Sequence, residues 1–173
     1  NRTERDDLTY EMLGVALREF GKAVRQHDPR RLITCGNSFP RESAWHNHRE
    51  RSWKQDSPEQ FAAMLALASP DPVNLISVHC YESSLARVGE AVAAAAQAGK
   101  PLFVGEFQVP NTTRPEARER FAAFLRALEQ NRVPLAAVWV FDYLAQDKDF
   151  NITAGNERAW QLQALRECNE RLR

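Results

Sequence analysis

Four short apolar stretches, each separated from the next by a helical pattern, constrain this chain more than any other feature. Arg31–Ser38, Val73–Glu82, Pro101–Gln108 and Leu135–Tyr143 are rich in β-branched or aromatic residues, and each turns polar at its C-terminal end. Between them run segments with helical periodicity. Tyr10, Leu13, Leu17, Phe20 and Val24 recur at helical spacing and predict one apolar stripe. Ser57-Pro-Glu-Gln60 reads as a helix start, with serine as cap, proline in the first turn and Gln60 placed to close a capping box. The alanine-rich run Leu85–Ala98 ends at Gly99, a natural left-handed cap, with Pro101 just beyond. Thr113-Arg-Pro-Glu116 predicts another capping box, followed by Phe121, Phe124, Leu125 and Leu128 on one face. Glu157–Leu172 predicts the last helix, with Leu162, Leu165 and Leu172 facing the core.

Strands that alternate with helices imply an α/β fold with a parallel sheet, because each crossover returns the chain to the same end. Ligands in such folds bind outside the carboxyl ends of the strands. The polar residues gather at that end: Asn37 and Ser38, His79 and Tyr81, Glu106, and Asp142 with Tyr143. Strand alternation puts His79 and Tyr81 on one face and Cys80 on the other. It also puts Leu102, Val104 and Glu106 on one face, with Phe103, Gly105 and Phe107 turned to the helices. A carboxylate on a strand buried on both faces is chemically odd. Glu106 therefore belongs at the strand's mouth, held against a ligand or against an ion-pair partner.

Gly99-Lys-Pro-Leu-Phe-Val-Gly-Glu-Phe107 resembles the segment carrying the catalytic nucleophile in family 5 glycoside hydrolases, the cellulase family. His79-Cys80-Tyr81 is similar to that family's His-x-Tyr motif on the preceding strand. Asp28-Pro-Arg-Arg-Leu-Ile-Thr34 resembles the entry to the strand before that, and Trp139 falls where the family often carries a tryptophan platform on its last strand. Gln108 is a departure, since many members have glycine there. The family fold is a (β/α)8 barrel of about 250 residues. This chain has 173, so the resemblance implies the C-terminal half of a TIM barrel: a single partial domain, residues 1–173, of four strand–helix units.

The resemblance also implies roles. Glu106 would be the nucleophile of a retaining glycosidase that cleaves β-linked glucan or mannan. The acid/base glutamate would lie upstream of Asn1, in an Asn-Glu pair ending the fourth strand; Glu4 follows no such pair and is rejected. Tyr81 would donate a hydrogen bond to Glu106, which favours the charged carboxylate, and His79 would bind a sugar hydroxyl. Trp139 offers an apolar face to a pyranose and an indole N–H for a polar partner. Asn37 would contact hydroxyls. The long segment Phe39–Gln55, with Trp45, His46, His48 and Trp53, would serve outer sugar subsites as a functional loop. Tyr81 and Trp139 suit a core position equally well on sequence alone, and His79 could be an interior histidine.

Other readings are weaker. His46, His48 and His79 lack tight ligand spacing, so no metal is expected, and loop histidines are more often solvated. No cofactor is implied. No strand is followed by a glycine-rich phosphate loop, which argues against a nucleotide-binding open sheet. Lys and Arg number 23, as do Asp and Glu, a balance that disfavours nucleic acid or anionic membranes as partners. No apolar run reaches transmembrane length. Three cysteines without close pairing suggest small buried filler rather than a disulfide framework. The resemblance points to an extracellular or periplasmic protein. The alternative to an enzyme is an inactive barrel half or a carbohydrate-binding module. Unpaired first and last strands invite association, so without its other half the chain is expected to self-associate.

Overall fold

The computed structural model describes residues 8–109 and 114–172. The predicted cap at Thr113 and the rejected Glu4 lie outside the described residues. The elements in chain order are helices α1 (Tyr10–His27), α2 (Ala44–Glu50) and α3 (Pro58–Leu67), strand β1 (Ile76–Tyr81), a 3-10 segment (Glu82–Arg87), α4 (Val88–Gln97), β2 (Leu102–Gln108), α5 (Glu116–Gln130), β3 (Leu135–Val138), a short 3-10 turn (Leu144–Gln146) and α6 (Trp160–Arg171). The strands form one sheet in the order β1-β2-β3, with a helix in each connection. That is the right arrangement for a parallel α/β sheet. The residues group into two compact units: one runs up to Val78 and includes Glu90–Phe103, and the other contains His79–Gly89 and the chain from Val104 onward.

In the first unit α1 and α3 are set by their caps. The Thr9 side chain accepts from Met12 N–H, and Ser57 closes the predicted capping box with Gln60, with Pro58 in the first turn. The buried face of α1 is centred on Gly14 and Gly21 rather than on the expected stripe. A Cβ at Gly21 would meet Pro72 Cγ at 3.1 Å, so the absent side chain permits the approach. Leu13, Leu17 and Val24 are half-buried beside it, while Phe20 is exposed. The core comprises residues such as Phe61, Met64, Val73, Ile76 and Ala91. Gly99 adopts φ +67° at the end of α4, the left-handed cap expected of it, and Lys100 N–H closes the turn onto Ala95 O.

The first expected strand is absent. Arg31–Ser38 has no regular structure and pairs in no ladder. Ile33 is buried, and its carbonyl accepts from both Asn74 N–H and Leu75 N–H. Its own N–H goes to the Asn74 side chain at 2.6 Å. A side chain thus takes the place of a strand partner. Phe39–Gln55 is also not the irregular loop expected, since it contains α2. His46, expected to be solvated, is buried at 4% exposure. Its Nδ1 lies 2.9 Å from Asp56 Oδ1, and the same carboxylate accepts from Trp45 and His46 N–H. Asp56 therefore caps α2 from outside the helix, where Ser43 makes no side-chain cap.

In the second unit the core forms around Phe107, which stacks on Phe121 and Phe124 of α5 at 5.8 and 5.7 Å. The buried face of α5 is the predicted one: Phe121, Phe124, Leu125 and Leu128. α6 begins later than expected and buries Gln161 and Cys168 rather than the predicted leucines; Leu162 and Leu165 are half-buried and Leu172 is exposed. β3 is shorter than its apolar run and more open, with Leu135 52% exposed. Beyond it the Trp139–Val140 peptide is cis, and Phe141 forms a parallel bridge to Ile152.

Candidate active site

Tyr81 ends β1 and Glu106 lies near the end of β2. Strand alternation turns His79, Tyr81 and Glu106 to one side. The Tyr81 hydroxyl donates to Glu106 Oε2 at 2.8 Å. His79 Nδ1 approaches the same oxygen at 3.3 Å. His79 and Glu106 each keep about a fifth of their side-chain surface exposed, so the cluster is sheltered yet reachable. Burial, then the hydrogen bond to Glu106 and its charge, push the Tyr81 hydroxyl well above the usual range. Tyr81 is thus fixed as a proton donor at any ordinary pH. The opposite face of β1 carries Cys80, fully buried, with its thiol pushed up to about 11 by burial, against a lowering hydrogen bond with Ser84.

Trp139 follows β3. Its N–H donates to Phe107 O at 3.0 Å, and its indole Nε1–H donates to Gln146 Oε1 at 2.7 Å. The residue is half-buried. The expected rim residues Asp142 and Tyr143 are exposed, and Asp142 sits at φ 53°. The other two candidates belong to the first unit. Asn37 is half-buried and its Nδ2 donates to Ala68 O at 2.9 Å; one amide hydrogen is therefore committed to the fold. Trp45 is half-buried and packs edge-on against His46 at 5.0 Å.

One residue was legible only as an oddity. Gln108 is wholly buried. Its Nε2 donates to Trp139 O at 2.7 Å and to Gln161 Oε1 at 2.8 Å, and its Oε1 accepts from Val109 N–H at 2.9 Å. The signal available in the sequence was its position two residues after Glu106. Gln146 carried no such signal. Among the described residues no group of three or more His, Cys, Asp or Glu could hold a metal ion, and no helix is long and apolar enough to cross a membrane.

Glu106 thus stands toward the carboxyl end of a parallel strand, held by a tyrosine and a histidine from the adjacent strand, at the end of the sheet where ligands bind in α/β folds. The family model Cellulase (glycosyl hydrolase family 5) matches residues 6–143, most of the chain, and the chain belongs to that family. No curated protein matches it. Among solved structures it is similar to the endo-1,4-beta-mannanase from Rhizomucor miehei, at 17% identity and TM-score 0.63, covering 88% of this chain and 44% of that one. It is also similar to the hyperthermostable endo-1,4-beta-D-mannanase from Thermotoga petrophila RKU-1, at 16% identity and TM-score 0.61, covering 90% and 51%. XacCel5A, solved with cellopentaose, aligns at 16% identity and TM-score 0.57, covering 87% and 51%. The chain spans about half the length of these proteins.

Proposed function

We propose that this chain is the C-terminal half of a (β/α)8-barrel glycosidase that cleaves β-1,4-linked glycans with retention, and that Glu106 is its nucleophile. The observation that carries the reading is the Tyr81–Glu106–His79 cluster. Tyr81 holds one carboxylate oxygen by a short bond, and the other oxygen is left for the anomeric carbon. In the first step Glu106 attacks that carbon and the glycosidic C–O bond breaks. A second carboxylic acid, about 5–5.5 Å away, protonates the leaving oxygen. In the second step the same group, now a base, takes a proton from water as it attacks and frees Glu106. That second carboxylate is assigned to the part of the protein preceding Asn1. Trp139 supplies a stacking platform.

The half-barrel reading draws support from exposed apolar surface. Among the described residues β3 pairs only with β2, and Leu135 on it and Phe141 beyond it are 52% and 58% exposed. Leu8, just before α1, and Met12 and Val15 within it are each more than half exposed. A complete barrel covers such faces with neighbouring units. The coding sequence upstream of Asn1 tests this directly. Four further strand–helix units ending in an Asn-Glu pair are expected; a start codon at this point would sink the half-barrel.

Glu106→Ala in the full-length protein tests the chemistry. Turnover of β-mannan and β-glucan should be lost while oligosaccharide binding persists. Near-normal turnover would remove Glu106 from the reaction.

A further inference from the structure

We infer that Gln108 is a positioning residue that fixes the Trp139 platform relative to Glu106. The inference rests on the glycosidase reading above and adds a residue to which that reading gives no role. The amide of Gln108 can sit only one way round. Its oxygen faces the Val109 N–H, an obligate donor, and its nitrogen faces the Trp139 carbonyl, an obligate acceptor. With the amide so oriented, its second hydrogen goes to Gln161 Oε1 on α6. All three bonds are short, and the side chain is fully buried.

The consequence falls on Trp139. Its backbone N–H is tied to Phe107 O and its carbonyl to the Gln108 side chain. Both backbone polar groups of the platform residue are thus held by the two residues that follow Glu106 on β2. The indole N–H is held separately by Gln146. β3 itself ends at Val138, so the regular ladder stops just before the platform. Gln108 supplies the next tie. A sugar ring bound on Trp139 is therefore registered against the strand that carries the carboxylate. Loss of the buried hydrogen bond to this carbonyl leaves the backbone of Trp139 tied to β2 through its N–H to Phe107 O, and so loosens the platform.

The test uses full-length protein in a Glu106→Ala background, so that binding is read without turnover, with cellopentaose and the β-1,4-mannan pentasaccharide as probes. Gln108→Met keeps the length and removes the donor. It should weaken the better probe about three- to tenfold, the effect of one net hydrogen bond. In a Trp139→Ala background the same change should cost nothing further, because coupled residues are not additive. Equal weakening with and without Trp139, or no weakening, overturns the inference. The Trp139 indole N–H resonance is the second readout and needs no ligand. It should move in Gln108→Met, and an unmoved resonance also overturns the inference. Should the Met variant not fold, Gln108→Glu has the same shape. Protonated, it donates to Trp139 O; ionised, it cannot, so the indole resonance should follow its titration. Failure of the wild-type sequence at Gln108 to bind either probe overturns the glycosidase reading instead, and the indole resonance still decides the role of Gln108.

Discussion

The Tyr81 hydroxyl stands 2.8 Å from Glu106 Oε2, and the two residues reach each other from adjacent strands, 25 positions apart in sequence. Tyr81→Phe removes this donor and little else. A hydrogen bond to a charged group contributes about 2 kcal/mol, so kcat/KM of the full-length protein should fall about thirtyfold. Stability should change little, because the phenyl ring is retained. An unchanged kcat/KM would mean that Glu106 does not depend on this bond.

Asp56 should make the first unit sensitive to acid. Burial raises its pKa, but hydrogen bonds from Trp45 N–H, the His46 ring and His46 N–H, together with the charge of His46, outweigh that and hold it below the usual carboxylate range. A carboxylate depressed on folding stabilises the native state fully above its unfolded value, about 3.9. That stability is lost as pH falls through the folded value. Asp56→Asn should therefore unfold at lower denaturant concentration than the parent at pH 7, by about 1–3 kcal/mol, and the gap should close on acidification below about pH 4. A gap independent of pH would show that the carboxylate charge is not what holds α2.

Phe107 couples the candidate site to the core. Its ring stacks on both Phe121 and Phe124, directly after Glu106. Phe107→Ala should cost about 3–5 kcal/mol and Phe107→Leu distinctly less. Thermal unfolding of the two variants checks the order. Equal losses would indicate that the site collapses around either side chain.

Alkylation should find the cysteines in a fixed order. Cys35 is half-buried, whereas Cys80 and Cys168 are buried. Burial foremost pushes both buried thiols up to about 11; at Cys168 the neighbouring Glu129 adds to this. Reactivity needs both access and thiolate. Native protein treated with iodoacetamide should label Cys35 first, with the other two labelled on unfolding. Early labelling of Cys80 would show that β1 opens readily.

Elements whose signals are local were legible in advance. The capping box at Ser57, the left-handed turn at Gly99 and the apolar face of α5 follow from residue types a few positions apart. The alternation that put His79 and Tyr81 opposite Cys80 needs only the two-residue period of a strand. Where a partner had to come from far along the chain, the sequence was silent. Arg31–Ser38 has strand composition but no ladder; Ile33 within it bonds instead to the Asn74 side chain and to the N–H groups of Asn74 and Leu75. His46 looks like a loop histidine until Asp56 folds over it.

The sequence by itself determined the strand–helix alternation, the helix limits set by caps, and the presence of a carboxylate where a buried strand should be apolar. Each depends on nearest-neighbour sterics and on periods of two or 3.6 residues. Only the tertiary structure decided which oxygen of Glu106 receives Tyr81, that β3 ends before Trp139, and that Gln108 reaches across to hold it. Those outcomes depend on strand register, and on which buried donor has an acceptor within 3 Å. Such pairings are fixed by the packing of the whole unit and leave no periodic trace in the chain.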